Sequence, residues 1–243
     1  MLVVHGDGRL EDKHVRDLPT LLTPKDVRVF NDTRVIPAAL KGVRPARDAL
    51  GSDVQADVNL VKQVSDSVWR ALARPGKRLK VGDRIEFSDN LSAEINNKSQ
   101  DGELTLKFSQ SGLALDAAID RVGAMPLPPY IARRRAADQT DRDTYQTSFA
   151  GEEAKSVAAP TAGLHFTPRL LAELEAAGVE RTEVCLHVGL GTFAPLKEEQ
   201  IEQGKLHEEW RQITPSVADH LNTARGAGHR CVAVGTTSLR SLE

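Results

Sequence analysis

Three histidines stand where a proton could be moved: His165, His187 and His207. An imidazole titrates near neutrality, so it can give or take a proton at physiological pH. His165 lies in the segment Pro160-Thr161-Ala162-Gly163-Leu164-His165-Phe166, and His187 closes the apolar run Val184-Cys185-Leu186. His207 stands beside Glu208 and Glu209. Each also has a plainer reading: a loop histidine bonded to a carbonyl, a satisfied core histidine, or part of a solvated acidic face. His5, His14, His220 and His229 have no comparable setting and are given no role. Around the candidates, three segments pair glycine with threonine: Thr161-Ala162-Gly163, Gly189-Leu190-Gly191-Thr192 and Gly235-Thr236-Thr237. Glycine lets a backbone approach a ligand closely, and threonine adds a hydroxyl that donates and accepts. One such loop is an ordinary turn; three at one end of one sheet point to a site. Two basic groups, Arg133-Arg134-Arg135 and Arg70, Arg74, Lys77, Arg78 and Lys80, suit phosphate or are solvated surface.

The elements that must position these groups follow from periodicity. From residue 123 onward the pattern is β/α. Ser156–Ala159 reads as a strand leading into the first loop. Thr167-Pro168 opens a helix whose apolar face is Leu170, Leu171, Leu174 and Ala177, and Gly178 ends it. Val184–Val188 is the next strand, Thr214-Pro215 starts another helix, and Arg230–Val234 is a further strand. Such units build a parallel sheet, open or closed into a barrel, with its working loops at the strand C-terminal ends. Between about residues 38 and 122 the strands are short and often alternating, as in Val58–Val61, Val68–Leu72, Arg84–Phe87, Ser92–Ile95 and Leu104–Phe108. Pro75-Gly76, Gly82-Asp83, Asp89-Asn90 and Asp101-Gly102 separate them. That spacing predicts a small antiparallel barrel or sandwich. The expected organisation is an α/β domain from residues 1–37 and 123–243, holding an inserted β-barrel domain at 38–122. Within 1–37, a helix-like piece precedes the buried strand Val27–Phe30, and Asn31–Arg34 follows as a polar loop.

The chain has 243 residues, 40% apolar, 27% charged and only 4% aromatic, so its core must rest on Leu, Val, Ile and Ala. A net charge of −2 argues against nucleic-acid binding through overall charge, but not against a local basic face. Cys185 and Cys231 sit in apolar runs, as buried thiols of a reducing compartment do. No Cys/His spacing suits zinc, so no metal is expected. No apolar run approaches the ~18–20 residues of a membrane span. The N-terminus lacks a signal-peptide pattern, so a cytoplasmic protein is expected. Residues 1–4 read as a strand without a lead-in and 238–243 as a helix without an end, which suggests a fragment.

Taken together, several stretches resemble the S-adenosylmethionine:tRNA ribosyltransferase-isomerase family of queuosine biosynthesis. They are Val29–Ala38, Pro126–Ile131, Tyr145–Thr147, Val157–Phe166, Leu186–Phe193 and Val234–Glu243, in family order. The pair VAAPTAGLHF and LHVGLGTF is the most specific part. The resemblance implies a barrel-like (TIM-barrel-like) parallel β/α domain carrying an inserted antiparallel β-barrel. It implies transfer and isomerisation of the ribosyl part of S-adenosylmethionine onto 7-aminomethyl-7-deazaguanine at the tRNA wobble position. Epoxyqueuosine would form, with adenine and methionine released. The partners would be that tRNA and S-adenosylmethionine as co-substrate, with no prosthetic group, no metal and no membrane, in a monomer.

In such a reaction the sulfonium acidifies the neighbouring ribose carbon, so a base is needed, and departing adenine calls for an acid. His165, His187 and His207 would share these tasks. The loop residues Thr161, Gly163, Gly189, Gly191, Thr192, Thr236 and Thr237 would hold ribose and methionine. Arg34, Arg133 and Arg240 would meet the methionine carboxylate or RNA phosphates. Tyr145, Phe166 and Phe193 are the motif aromatics nearest in kind to a base-stacking role. Asn31, Asp32, Thr33, Gln146 and Glu209 complete the expected substrate contacts. The sequence departs from the family pattern at Ala39, Ala194, Gly204, Leu206 and Glu208, and at Gly51–Gln55 in the inserted domain. The family pattern also continues past Glu243. The readings set against this one are a tRNA-binding remnant without turnover and an unrelated β/α enzyme acting on a nucleoside or sugar.

Overall fold

The computed structural model describes residues 1–88, 90–152, 156–189 and 208–243. A short hairpin of β1 (Leu2–Val4) and β2 (Leu10–Asp12) leads through a 3-10 turn, Val15–Thr20, to β3 (Asp26–Asn31). The next six strands are β4 (Ala39–Arg44), β5 (Val54–Ser65), β6 (Val68–Arg74), β7 (Arg84–Glu86), β8 (Ser92–Lys98) and β9 (Leu104–Phe108). They close into an antiparallel barrel in the order β4-β5-β6-β9-β8-β7. The barrel, rather than a sandwich, follows from the pairing of Val43 with Glu86, which joins the first and last strands and removes both edges. Period-two alternation fills it. Val54, Ala56, Val58 and Leu60 of β5 point inward, while Gln55 and Asp57 stay exposed. Trp69, Leu79, Ile85, Ile95, Leu104 and Leu106 complete the interior.

A helix, α1 (Gly112–Val122), sits in the segment read from sequence as strands. It plugs the barrel core with Leu115, Ala118 and Ile119. The chain leaves the barrel beside the point where it entered. Ala39 and Ala124 exchange two backbone hydrogen bonds, of 3.1 and 2.8 Å. Gly123 is required at this crossing, because a Cβ there would lie 1.9 Å from the Pro37 carbonyl oxygen.

Two short helices, α2 (Pro129–Ala132) and α3 (Asp141–Thr144), cross the surface before a 3-10 turn, Thr161–His165, and α4 (Pro168–Ala176). The expected cap is present: the Thr167 hydroxyl oxygen accepts from the Leu170 amide, with Pro168 as the first helical residue. Then come β10 (Glu180–Leu186), β11 (Arg211–Gln212), α5 (Pro215–Gly226), β12 (Arg230–Ala233) and α6 (Thr236–Leu242). The sheet order is β11-β10-β3-β12, with β3 parallel to both neighbours and β11 antiparallel at the edge. Among the described residues this sheet is mixed and open, where periodicity led to a parallel sheet, open or closed, and the resemblance to a barrel-like one. Ser156–Ala159, expected as a strand, makes a single parallel bridge, Ser156 to Val35.

The central strand β3 is buried along its whole length. Phe30 packs on one face with Phe149, Phe166, Leu170, Leu171 and Leu174. Val27 and Val29 pack on the other with Val184, Leu221 and Ala224. Helices α4 and α5 therefore cover opposite faces, and the C-terminal ends of β3, β10 and β12 share one edge.

Candidate active site

That shared edge gathers most of the residues singled out in the sequence. Asn31, expected in a polar loop, is instead the last residue of β3 and is 1% exposed. Its amide nitrogen donates to the Leu186 carbonyl at 3.0 Å, and its amide oxygen accepts from the amides of Leu186 and Thr33. The side chain is thus spent on fixing the end of β3 against the end of β10. Asp32 follows, half-buried, with one carboxylate oxygen buried and unpartnered among the described residues. Burial raises its pKa, and a contact with the Cys185 thiol opposes that shift. The thiol is pushed up to about 12 by burial and by Asp32. Thr33 is fully buried with its hydroxyl unpartnered. Arg34 is exposed and donates from Nε to the Gly151 carbonyl at 2.8 Å.

The first glycine–threonine segment forms the 3-10 turn that ends at His165, whose side chain is exposed. Thr161 is exposed as well. Gly163 is buried for a reason other than ligand access: a Cβ would sit 2.7 Å from the Phe149 ring. Phe166 is 7% exposed and meets Phe30 edge-on at 4.9 Å. Tyr145 is 5% exposed, packed with Val35, Met125 and Ala159, and burial raises its pKa. Both rings serve the core, which corrects the expectation that they are open to stack on a base. Gln146 is likewise internal, since its amide both donates to and accepts from the backbone of Val35.

The second segment begins where β10 ends. His187 donates its backbone amide to Trp210, and the two rings lie 4.4 Å apart at 35°. The Gly189 amide donates to one carboxylate oxygen of Glu209 at 3.0 Å. The other oxygen of Glu209 accepts from Arg240 on α6 at 2.6 Å. Glu209 therefore ties the loop after β10 to the helix after β12. Gly191, Thr192, Phe193 and His207, together with Ala194, Gly204 and Leu206, lie outside the described residues.

The third segment meets the first. Gly235 holds φ at +88°, and a Cβ on it would approach the Ala162 Cβ to 3.0 Å. Thr236, exposed, and Thr237, half-buried with an unpartnered hydroxyl, open α6 there. Ser156 completes the stitching: its hydroxyl donates its one proton to the Ala158 carbonyl at 2.8 Å, and its oxygen accepts from the Val188 amide at 2.9 Å. The described parts of the three segments thus lie against one another, with His165, His187, Glu209 and Arg240 on them or beside them. Arg133 stays exposed at the end of α2. Arg135, its neighbour in the basic run, is committed to a two-bond pair with buried Asp141, whose carboxyl it lowers to about 2.

Spacing alone gave no notice of Trp210, Ser156 or the linking role of Glu209. Trp210 had one available signal: it is one of two tryptophans in the chain and follows an acidic pair next to a candidate histidine. Among the described residues, no three His, Cys, Asp or Glu side chains converge as a metal site would, and no helix is long and apolar enough to cross a membrane.

The whole chain, residues 1–243, matches the family described as "Queuosine biosynthesis protein". The S-adenosylmethionine:tRNA ribosyltransferase-isomerase of Hyphomonas neptunium is 65% identical over 243 residues, covering all of this chain and 69% of that protein. The enzyme of the same name from Maricaulis maris is 54% identical over 244 residues, again covering all of this chain and 69% of that protein. Among solved structures, the S-adenosylmethionine tRNA ribosyltransferase of Thermotoga maritima is 28% identical with a TM-score of 0.39, and the match covers 100% of this chain and 63% of that one.

Proposed function

The chain belongs to the queuosine biosynthesis protein family, and from that premise we propose that it carries the activity its relatives are named for, as an S-adenosylmethionine:tRNA ribosyltransferase-isomerase. The ribosyl moiety of S-adenosylmethionine is moved to 7-aminomethyl-7-deazaguanine at the wobble position of tRNA and isomerised to the epoxyqueuosine form, releasing adenine and methionine. The observation that carries this reading is the meeting of the described parts of three loops at the C-terminal edge of β3, β10 and β12, with His165, His187, Glu209 and Arg240 on them or beside them.

In this reading His165, His187 and His207 divide the proton transfers: one takes a proton from the ribose carbon beside the sulfonium, and one gives a proton to departing adenine. Glu209 is a positioning residue, because both its oxygens are held by the protein. Arg34, Arg133 and Arg240 answer the methionine carboxylate or RNA phosphates, and Thr161, Thr192, Thr236 and Thr237 answer ribose hydroxyls. Asn31 and Gln146 act through the backbone they hold. The open sheet belongs to a barrel-like α/β domain of residues 1–37 and 123–243, and 38–122 form the inserted domain. The protein works in the cytoplasm as a monomer, without metal or prosthetic group.

Adenine release from S-adenosylmethionine in the presence of precursor-bearing tRNA tests the proposal. Release that depends on both substrates is expected. RNA retention without adenine would instead favour a tRNA-binding member without turnover. His165→Ala should lower the rate by roughly 10²–10⁴ if it transfers a proton; an unchanged rate would remove it from the centre.

A further inference from the structure

The chain carries a net charge of −2, yet one end of the inserted barrel is strongly positive. A cleft of about 340 Å³ there is lined by Arg44, Arg47, Lys77, Arg78 and Lys80, with Asp48 as its acidic member. Of the basic group read from the sequence, Arg70, Arg74, Lys77, Arg78 and Lys80, only the last three line the cleft. Arg70 pairs with Glu103 away from the cleft, and Arg74 does not line it. The fold adds Arg44 and Arg47 in their place.

The cleft is built. The turn carrying Lys77 and Arg78 is pinned from beneath by Lys98, whose ammonium donates to the carbonyls of Gly76 and Leu79 at 2.6 and 2.9 Å. Arg47 is held by a two-bond pair with Asp83, both at 2.7 Å, and by the Arg78 carbonyl. Arg44 is 6% exposed and has no carboxylate bonded to it among the described residues. It donates from Nη1 to the Pro45 carbonyl, and its Nε is buried without a partner. A buried guanidinium short of acceptors favours an incoming anion. The side chains of Lys77, Arg78 and Lys80 remain exposed, so they can close on one.

We propose that this cleft binds the RNA phosphate backbone, as a docking site separate from the loops at the sheet edge. It lies at the end of β4 opposite the Ala39–Ala124 crossing, five strand steps or about 17 Å away. It therefore engages RNA at a distance from the reacting base. RNA, rather than free phosphate, is assigned because five cationic side chains spread along the cleft, with Lys77, Arg78 and Lys80 exposed, match a run of phosphates better than a single one. That choice rests on the tRNA reading above.

The test measures tRNA binding by fluorescence anisotropy from 50 to 300 mM salt, for the unsubstituted chain and for the combined variant Lys77→Ala/Arg78→Ala/Lys80→Ala. All three side chains are exposed, and the melting temperature checks the fold. Affinity should fall roughly ten- to a hundredfold at 0.1 M salt, and the log–log salt slope should shrink by about 2 to 3. Asp48→Asn keeps the oxygen that accepts from the Leu50 amide and should tighten binding. Unchanged affinity and slope in the triple variant would overturn the proposal. So would substitution-sensitive binding of tripolyphosphate with tRNA binding unaffected, which would mark a small-anion site. Adenine release by the unsubstituted chain is read separately. If RNA binding falls with the substitutions but no adenine appears, the reaction fails and the cleft stands.

Discussion

The inserted barrel and the β/α sheet enclose their interiors differently. Inside the barrel the largest buried side chains are Trp69, Leu40, Leu60, Leu79, Ile85, Leu91, Ile95, Leu104 and Leu106, all apolar. In the sheet, the fully buried strand β3 carries Asp26, Arg28 and Asn31 between its valines and Phe30. Each is met by specific partners. Arg230 of β12 and the Thr23 amide and hydroxyl satisfy Asp26. Arg28 donates to the carbonyls of Val179 and Glu180, just before and at the start of β10. Asn31 fastens β10 at its other end. In the closed barrel a directional pair lies at strand ends, where Arg47 holds Asp83, and burial without direction fills the interior. An open sheet whose strand ends must hold three loops in place uses directional bonds, which fix strand against strand.

If that contrast is right, substitutions should separate stability from activity by region. The largest effect is expected from Trp69→Ala, which empties the barrel interior and should cost about 3–5 kcal/mol in urea unfolding. Gly123→Ala comes next. Its Cβ would collide with the Pro37 carbonyl, and a cost of about 1–3 kcal/mol is expected, since backbone must move. Asp26→Asn should cost about 2 kcal/mol by weakening the clamp between β3 and β12.

Acid should expose the same clamps. Arg230 holds the Asp26 carboxyl below its usual range, and Arg135 lowers Asp141 to about 2. A carboxyl with a depressed folded pKa contributes stability above its unfolded value near 4 and loses it as pH falls through the folded value. Melting temperature should therefore drop between about pH 4 and 2, and Asp141→Asn should flatten its part of that slope. Glu209→Gln keeps an acceptor for Gly189 but loses the charge facing Arg240. It should slow adenine release about tenfold while leaving the melting temperature within a degree or two. The smallest effect concerns Cys185, whose thiol is pushed up to about 12. It should resist alkylation at pH 8 in the folded chain and react once denatured, and rapid labelling of the native protein would contradict the buried contact with Asp32.

Local rules in the sequence reached much of this architecture. Alternation in β5 and β9, the turn formers between strands, and Thr167-Pro168 at the head of α4 each act within a few residues, so they can be read in line. β4 was missed because Gly42 interrupts its pattern. The glycine is needed for a non-local reason: a Cβ would meet Ile85 at 2.7 Å and the Glu86 carbonyl at 2.8 Å across the barrel. Helix α1 was hidden by the strand-rich text around it and has no side-chain cap to announce it. The site divides in the same way. That the second and third glycine–threonine segments begin where strands end was legible from residue type and order. The inward turn of Phe166 and Tyr145, and the bonds from Glu209 to Gly189 and Arg240, arise only when segments distant in sequence are packed together.

The paired crossing at Ala39 and Ala124 has a consequence for the history and engineering of this chain. The two connections lie about 5.5 Å apart as a hydrogen-bonded antiparallel pair, so the sheet has the same gap to bridge whether or not the barrel is present. A domain of some eighty residues could enter such a gap without parting β3 from its neighbours, since loop closure costs little more as the loop lengthens. The same geometry makes the barrel an exchangeable cassette. A tight turn joining the flanks of Ala39 and Ala124 would splice the host together, and a barrel from a relative could be grafted by matching one residue pair.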